Sequence, residues 1–380
     1  MLRVTDAYGP IPYSKMQNGT FSVPYDSQRD VYMAMIDDLD AAMETLYTFA
    51  SAGDGILMRD FDISSFKGDS RLWVSFANTL KLRMAIRMSG VEPEARRIAE
   101  EAVRDMATYG LIDANAENLS FSSDSRQNPF YTQATSTSWQ DLRSNASIVM
   151  YMNAYEDPRR ASYFSKSGYD GIYVGVRAGI QNVTPTDYAT YSYPLFAEKD
   201  PVPVMYASES WFLRAEGALL GWTMGDTAEN LYNTGVKTSL ELWGNGSSYE
   251  TYIASETAPA LSYADPRNKH NVSDFGTAVS VKWADDGNEL ERIITQKWIA
   301  NHMIGHEAWA DVRRTGYPRL LQVVNNLSGG MWGNVDSSKG MRRLHYPQSE
   351  YDNNRENVLK GVELLGGSDL HGTDVWWAKK

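Results

Sequence analysis

Few residues in this chain have both the type and the spacing for chemistry. His302 and His306 stand four apart and Glu307 follows, which brings two imidazoles and a carboxylate near one helix face. A zinc-peptidase helix reads H-E-x-x-H, whereas the order here is H-x-x-x-H-E with Gly305 between the histidines. With five histidines in the chain and no third ligand in view, the pair reads as structural. Asp285-Asp286-Gly287-Asn288-Glu289 gathers oxygen atoms around a glycine as calcium loops do, but it lacks the full EF-hand spacing. It reads as a turn and N-cap ahead of a helix. Paired carboxylates for glycoside hydrolysis need only sit ~5–10 Å apart, so spacing along the chain leaves that chemistry open. Asp37, Asp38 and Asp40 most simply form a solvated helix face. There is no nucleophile elbow, phosphate-cradling loop or dinucleotide fingerprint, and no cofactor or metal is expected.

Aromatic side chains are the remaining signal. The chain carries 11 Trp, 23 Tyr and 11 Phe. Most are expected to fill helix cores. Those in polar, loop-like stretches suit a different task, because carbohydrate recognition needs flat apolar faces with polar tips nearby. By loop location and side-chain type the candidate ligand residues are Asn128, Phe130, Tyr131, Trp139, Tyr191 and Trp332.

The elements that must position them are helical. Over Ser27 to Phe49, Val31, Met35, Leu39, Ala42, Met43 and Leu46 keep the helical period. A helix over Ser70–Ser89 carries Trp73, Phe76, Leu80, Met84 and Met88 on one stripe, and Gly90 stops it. Pro93 opens a third helix to about Tyr109 with a face of alanines. A second such unit runs Ser208–Trp222 and Thr227–Trp243, turned at Gly225. A third spans Glu289–Pro318, two helices joined at Gly305. There Glu307, Asp311 and Arg314 share a face with a usable ion-pair spacing, and Trp309 and Val312 are expected to point to a core. The fold class is therefore mainly α, built of tetratricopeptide-like helix pairs over about 27–110, 205–243 and 288–316. An irregular helical bundle is the alternative from pattern alone. Loop-rich stretches fill about 113–203, 244–286 and 325–340, with a helix only around Trp139–Ala154. Loops that long inside a compact chain tend to be functional. The tail His371–Lys380, with Trp376-Trp377, is expected to cover a core edge.

Composition narrows the partners. At 380 residues with 42% hydrophobic and 22% charged side chains, the chain can bury a substantial core. Thirty-six Lys and Arg against 48 Asp and Glu give a net charge of −12, with no basic cluster for a nucleic acid. The absence of cysteine excludes disulfides, thiolate zinc sites and a cysteine nucleophile. No apolar run reaches the ~18 residues of a membrane span, since Val202–Met224 is broken by Glu209, Arg214 and Glu216.

Several motifs in order resemble the SusD/RagB family, and within it the SusD-like glycan-uptake group. They are Asp6-Ala7-Tyr8-Gly9-Pro10-Ile11-Pro12-Tyr13, the helix from Tyr25-Asp26, Asn128-Pro129-Phe130-Tyr131 and Asp157-Pro158-Arg159. They continue with Pro203-Val204-Met205-Tyr206-Ala207-Ser208-Glu209 and Gln296-Lys297-Trp298. Glu307-Ala308-Trp309-Ala310-Asp311-Val312-Arg313-Arg314-Thr315-Gly316 and Arg342-Arg343-Leu344-His345-Tyr346-Pro347 complete the set. The resemblance implies a non-catalytic, lipid-anchored protein on the outer face of the outer membrane of Bacteroidetes. Such a protein captures oligosaccharides or polysaccharides and hands them to a TonB-dependent, SusC-like β-barrel transporter. It also implies an N-terminal helical region and lipidated cysteine ahead of the Tyr8-Gly9 element, so this chain is expected to lack that part. A helical-repeat scaffold for peptides and a helical glycoside hydrolase are the competing expectations.

Overall fold

The computed structural model describes residues 1–16, 19, 22–123, 127–134 and 142–379. Helix Ser70–Arg87 is the centre of the molecule. Its N-terminus is capped by Asp69, whose carboxylate accepts from the Arg71 amide at 2.8 Å. Helices Gln28–Ala52, Ala95–Arg104, Ala207–Leu219 and Gly305–Thr315 all pack against it. A helix covered on several sides cannot have one apolar stripe. Accordingly Leu82, Met84, Ala85 and Ile86 are all fully buried, whereas Trp73, Phe76 and Leu80 of the expected stripe are half-buried. Each large aliphatic side chain buried in this way stabilises the fold by about 1.5–3 kcal/mol.

The second unit matches its expected form. Ala207–Leu219 and Ala228–Leu242 pack closely, and Thr227 caps the latter by accepting from the Asn230 amide at 3.2 Å. Gly235 lets them approach, because a Cβ there would lie 3.0 Å from the Phe212 ring. The third unit differs from expectation. Glu289–Ala300 lies against Ala207–Leu219 and Ala228–Leu242, while Gly305–Thr315 lies against Ser70–Arg87 and the tail turn Trp376–Ala378. Gly316, at φ 85°, terminates Gly305–Thr315 in the left-handed conformation a glycine adopts without strain.

The Glu307/Asp311/Arg314 face is not turned to water. Glu307 and Asp311 are buried and sit in a chain of ion pairs that joins five helices. Arg87 bridges Asp6 and Glu307, and Arg83 holds Glu209 at 2.7 Å and Glu307 at 3.4 Å. Lys297 meets Asp311 at 3.0 Å, and Arg314 meets both Asp311 at 3.0 Å and Glu216. Those guanidinium and ammonium groups hold the Glu307 and Asp311 carboxyls below their ordinary range against the opposing pull of burial. Trp309 and Val312, expected in a core, are half-buried instead. Trp309 lies under the Arg313 guanidinium at 3.6 Å and donates from its indole to the Met341 carbonyl at 2.9 Å.

The loop regions hold more structure than their composition suggested. Strand Leu119–Phe121 pairs antiparallel with Val202–Met205 and closes the long 113–203 stretch at its base. Short helices at Pro129–Ala134 and Arg160–Tyr163 lie within it, and Ala146–Ala154 begins at an Asn145 cap. In the tail, Trp377 is 2% exposed and donates to the Asp6 carboxylate at 2.8 Å, which puts it inside the core as expected of a covering segment.

Candidate functional site

The six residues chosen from sequence do not converge. Trp139 lies outside the described residues. Asn128 is fully buried and acts as a helix cap. Its side-chain oxygen accepts from the Phe130 and Tyr131 amides at 2.8 and 3.3 Å, and its amide nitrogen donates to the Asp200 carbonyl at 2.9 Å. No donor or acceptor is left facing a surface ligand, so its role here is structural. Phe130 is half-buried and stacks on Phe196 at 5.3 Å, and Tyr131 is half-buried beside it on the same short helix. Tyr191 is 1% exposed, donates to Asp265 and packs edge-on to Tyr169 at 5.5 Å, so it too belongs to the interior. Trp332 lies in a different loop and stacks on the His345 ring at 3.4 Å, and His345 shares a 2.7 Å hydrogen bond with His371.

The metal candidates also separate. His302 is buried and stacks on Tyr163 at 4.0 Å, while His306 is exposed at the start of the next helix. Asp286 is taken by Arg292 at 3.1 Å and by the Asn288 amide at 3.0 Å, as the turn reading anticipates. No group of three or more His, Asp or Glu among the described residues is arranged to hold a metal.

A cavity of about 620 Å³ opens instead within the 244–286 loop region, at the start of helix Glu289–Ala300 and beside Arg319. Its volume falls inside the range of about 300–1,000 Å³ common for small-molecule clefts. Two isolated bridges, Ala260 to Thr277 and Tyr263 to Val272, fold the 260–277 loop back on itself as an irregular hairpin. On the other wall the Arg292 guanidinium reaches the Ser280 and Ala284 carbonyls, both at 3.1 Å, and fixes the path of 280–286. The Tyr232 hydroxyl donates to the Val281 carbonyl at 2.7 Å, and its ring packs on Trp283 at 5.5 Å, anchoring the indole that lines the opening.

The polar groups of the cavity fall into two classes. Lys282 and Glu256 neutralise each other at 2.5 Å. Arg319 spends one nitrogen on the Thr277 carbonyl at 2.8 Å. Glu291 stands apart, since it lines the cavity, is 9% exposed and has no hydrogen bond or ion pair among the described residues. Burial raises its pKa, and the charges of Arg319 and Arg292 pull it back down. An aromatic wall, an unpaired carboxylate and a nearby guanidinium together can receive a ring with an apolar face and a polyhydroxylated edge. Sequence reasoning marked the loop region but not these residues. The available signal was a glutamate set among Leu290, Ile293 and Ile294 at the head of a buried helix.

Over residues 1–378 the chain matches the family described as SusD-like, Susd and RagB outer membrane lipoprotein. Among solved structures it is similar to a chitin-binding SusD homologue from Flavobacterium johnsoniae, at 40% identity and a TM-score of 0.93. That match covers 100% of this chain and 78% of the other. A SusD homologue from Bacteroides uniformis matches at 43% identity and 0.91, covering 100% and 79%. One from Bacteroides thetaiotaomicron matches at 40% and 0.89, again covering 100% and 79%. No curated protein matches the chain.

Proposed function

The chain belongs to the SusD-like family of outer-membrane lipoproteins, whose members bind carbohydrate without catalysis, and on that premise we propose that it captures oligosaccharides at the cell surface and passes them to a TonB-dependent β-barrel partner. No helix among the described residues is long and apolar enough to cross a membrane. The observation that carries the binding reading is the cavity, in which Trp283 offers a ring wall and Glu291 an unpaired acceptor. A chitin-binding neighbour 40% identical to this chain supports a polysaccharide as the ligand. Trp332, Tyr131, Phe130 and Trp139 are then proposed as secondary contacts for a longer glycan; Asn128 caps the short helix that carries Phe130 and Tyr131, and Tyr191 is tied to Asp265. For delivery, the exposed strip of Leu57, Met58, Phe61 and Ile63 has the character of a protein-contact patch, with Phe61 80% exposed.

Native electrophoresis through gels containing plant, host and microbial polysaccharides, a soluble chitin derivative among them, tests the reading. The expected result is retardation by one polysaccharide, relieved by Trp283→Ala. Retardation that survives Trp283→Ala keeps glycan capture and removes the cavity from it. No retardation in any gel overturns glycan capture and favours a helical-repeat scaffold for a protein partner.

A further inference from the structure

We propose that the cavity selects sugars carrying a protonated amine, such as the free glucosamine units of a polymer, with Glu291 as the counter-ion. The inference rests on the glycan reading above and adds the ligand's charge to it.

The argument begins with what an unpaired carboxylate requires. A buried charge without a partner is costly, and protein interiors normally supply a cation or several donors. Glu291 is nine-tenths buried, on a helix whose other interior charges are all matched. Arg292 on the same helix is bound to Asp286, and Lys297 to Asp311. Only Glu291 is left over, and it lines an open cavity. An incoming group can therefore complete it.

The surroundings decide which group. Lys282 is already neutralised by Glu256, so it offers little to an anionic ligand. Arg319 is near enough to lower the Glu291 pKa, yet it makes no ion pair with it and is held by the Thr277 carbonyl. Of the lining carboxylates, Glu256 is paired with Lys282 and Asp286 with Arg292, so Glu291 is the one without an ion-pair partner. Uronic acids and sulfated sugars would set a like charge beside Glu291. A neutral hydroxyl would satisfy Glu291 with an ordinary hydrogen bond, whereas an ammonium gives a charge-assisted bond of roughly twice the strength. Trp283 makes a sugar the bearer of that ammonium, because its ring provides the wall on which a pyranose face can rest while the 2-position amine reaches the carboxylate.

Calorimetric titration with glucosamine trimers and N-acetylglucosamine trimers, at mildly acidic pH and about 0.15 M ionic strength to screen the general negative charge, tests the proposal. The wild-type chain should bind the amine trimer about tenfold more tightly or better, and Glu291→Gln should bring the ratio near one while the acetylated trimer binds as before. The wild-type ratio is decisive even where the variant folds poorly. Equal or tighter binding of the acetylated trimer, relieved by Trp283→Ala, overturns this inference and leaves glycan capture standing. Failure of both trimers to bind overturns the cavity as a sugar site together with the inference. Trilysine binding as well as the amine trimer, with the same dependence on Glu291, also overturns it, since the site would then read charge alone.

Discussion

His302 gives the sharpest test of the interior. Its ring lies between Tyr163, stacked at 4.0 Å and 7°, and the edges of Trp243 and Phe164, both at 5.8 Å. Its Nε2 finds no hydrogen-bond partner among the described residues. Burial lowers its pKa to about 3, so the folded chain holds it neutral. In the unfolded chain an ordinary histidine titrates near pH 6.5. The unfolded state therefore binds the extra proton between these values, and stability is full above the higher one and falls as pH drops towards the lower. From about pH 7 to about pH 5 the loss works out at about 2 kcal/mol for this group alone, growing to about 4 kcal/mol by pH 3. His302→Phe keeps a flat ring against Tyr163 and removes the titration. Urea unfolding of both proteins at the two pH values isolates the effect, because every other titrating group enters both curves equally. Wild type should lose about 2 kcal/mol more than the variant over that interval. Equal losses would mean that His302 can take up a proton within the fold, and the account of its burial would fail.

Two further substitutions probe what the ion-pair chain and the predicted ligand residues do. Arg87→Met leaves Asp6 and Glu307 buried without their shared guanidinium, and should lower unfolding stability by about 3–5 kcal/mol, read from the urea midpoint; a change below about 1 kcal/mol would show the carboxylates finding other partners. Asn128→Ala removes the cap of the Pro129–Ala134 helix and should cost about 0.5–2 kcal/mol while leaving polysaccharide retardation unchanged. Retardation lost at unchanged stability would return Asn128 to the ligand site.

The helices were legible because their signals are local. Ser27 and Thr227 cap the helices that follow them, Gly316 stops its own, and the apolar periods lie within single helices. Even the Asp311 to Arg314 pair could be read from spacing three. What spacing could not show was the other half of each pair, since Arg87 and Glu216 lie far from residues 307–314 in the chain. A face rich in charge was thus buried, and Trp309 was left to shield Arg313 at its edge. The same limit governs the ligand residues. An aromatic ring in a polar loop gains most from being covered, so the fold claims it first: Tyr191 is in the interior, and Phe130 is held by Phe196. The surer mark of a binding residue is a polar group that folding buries and then leaves without a partner. Glu291 has that mark only after the 260–277 loop folds back and Arg292 fixes 280–286, which are events of tertiary structure. The residue most worth testing is therefore one whose type and spacing are ordinary, and whose surroundings alone set it apart.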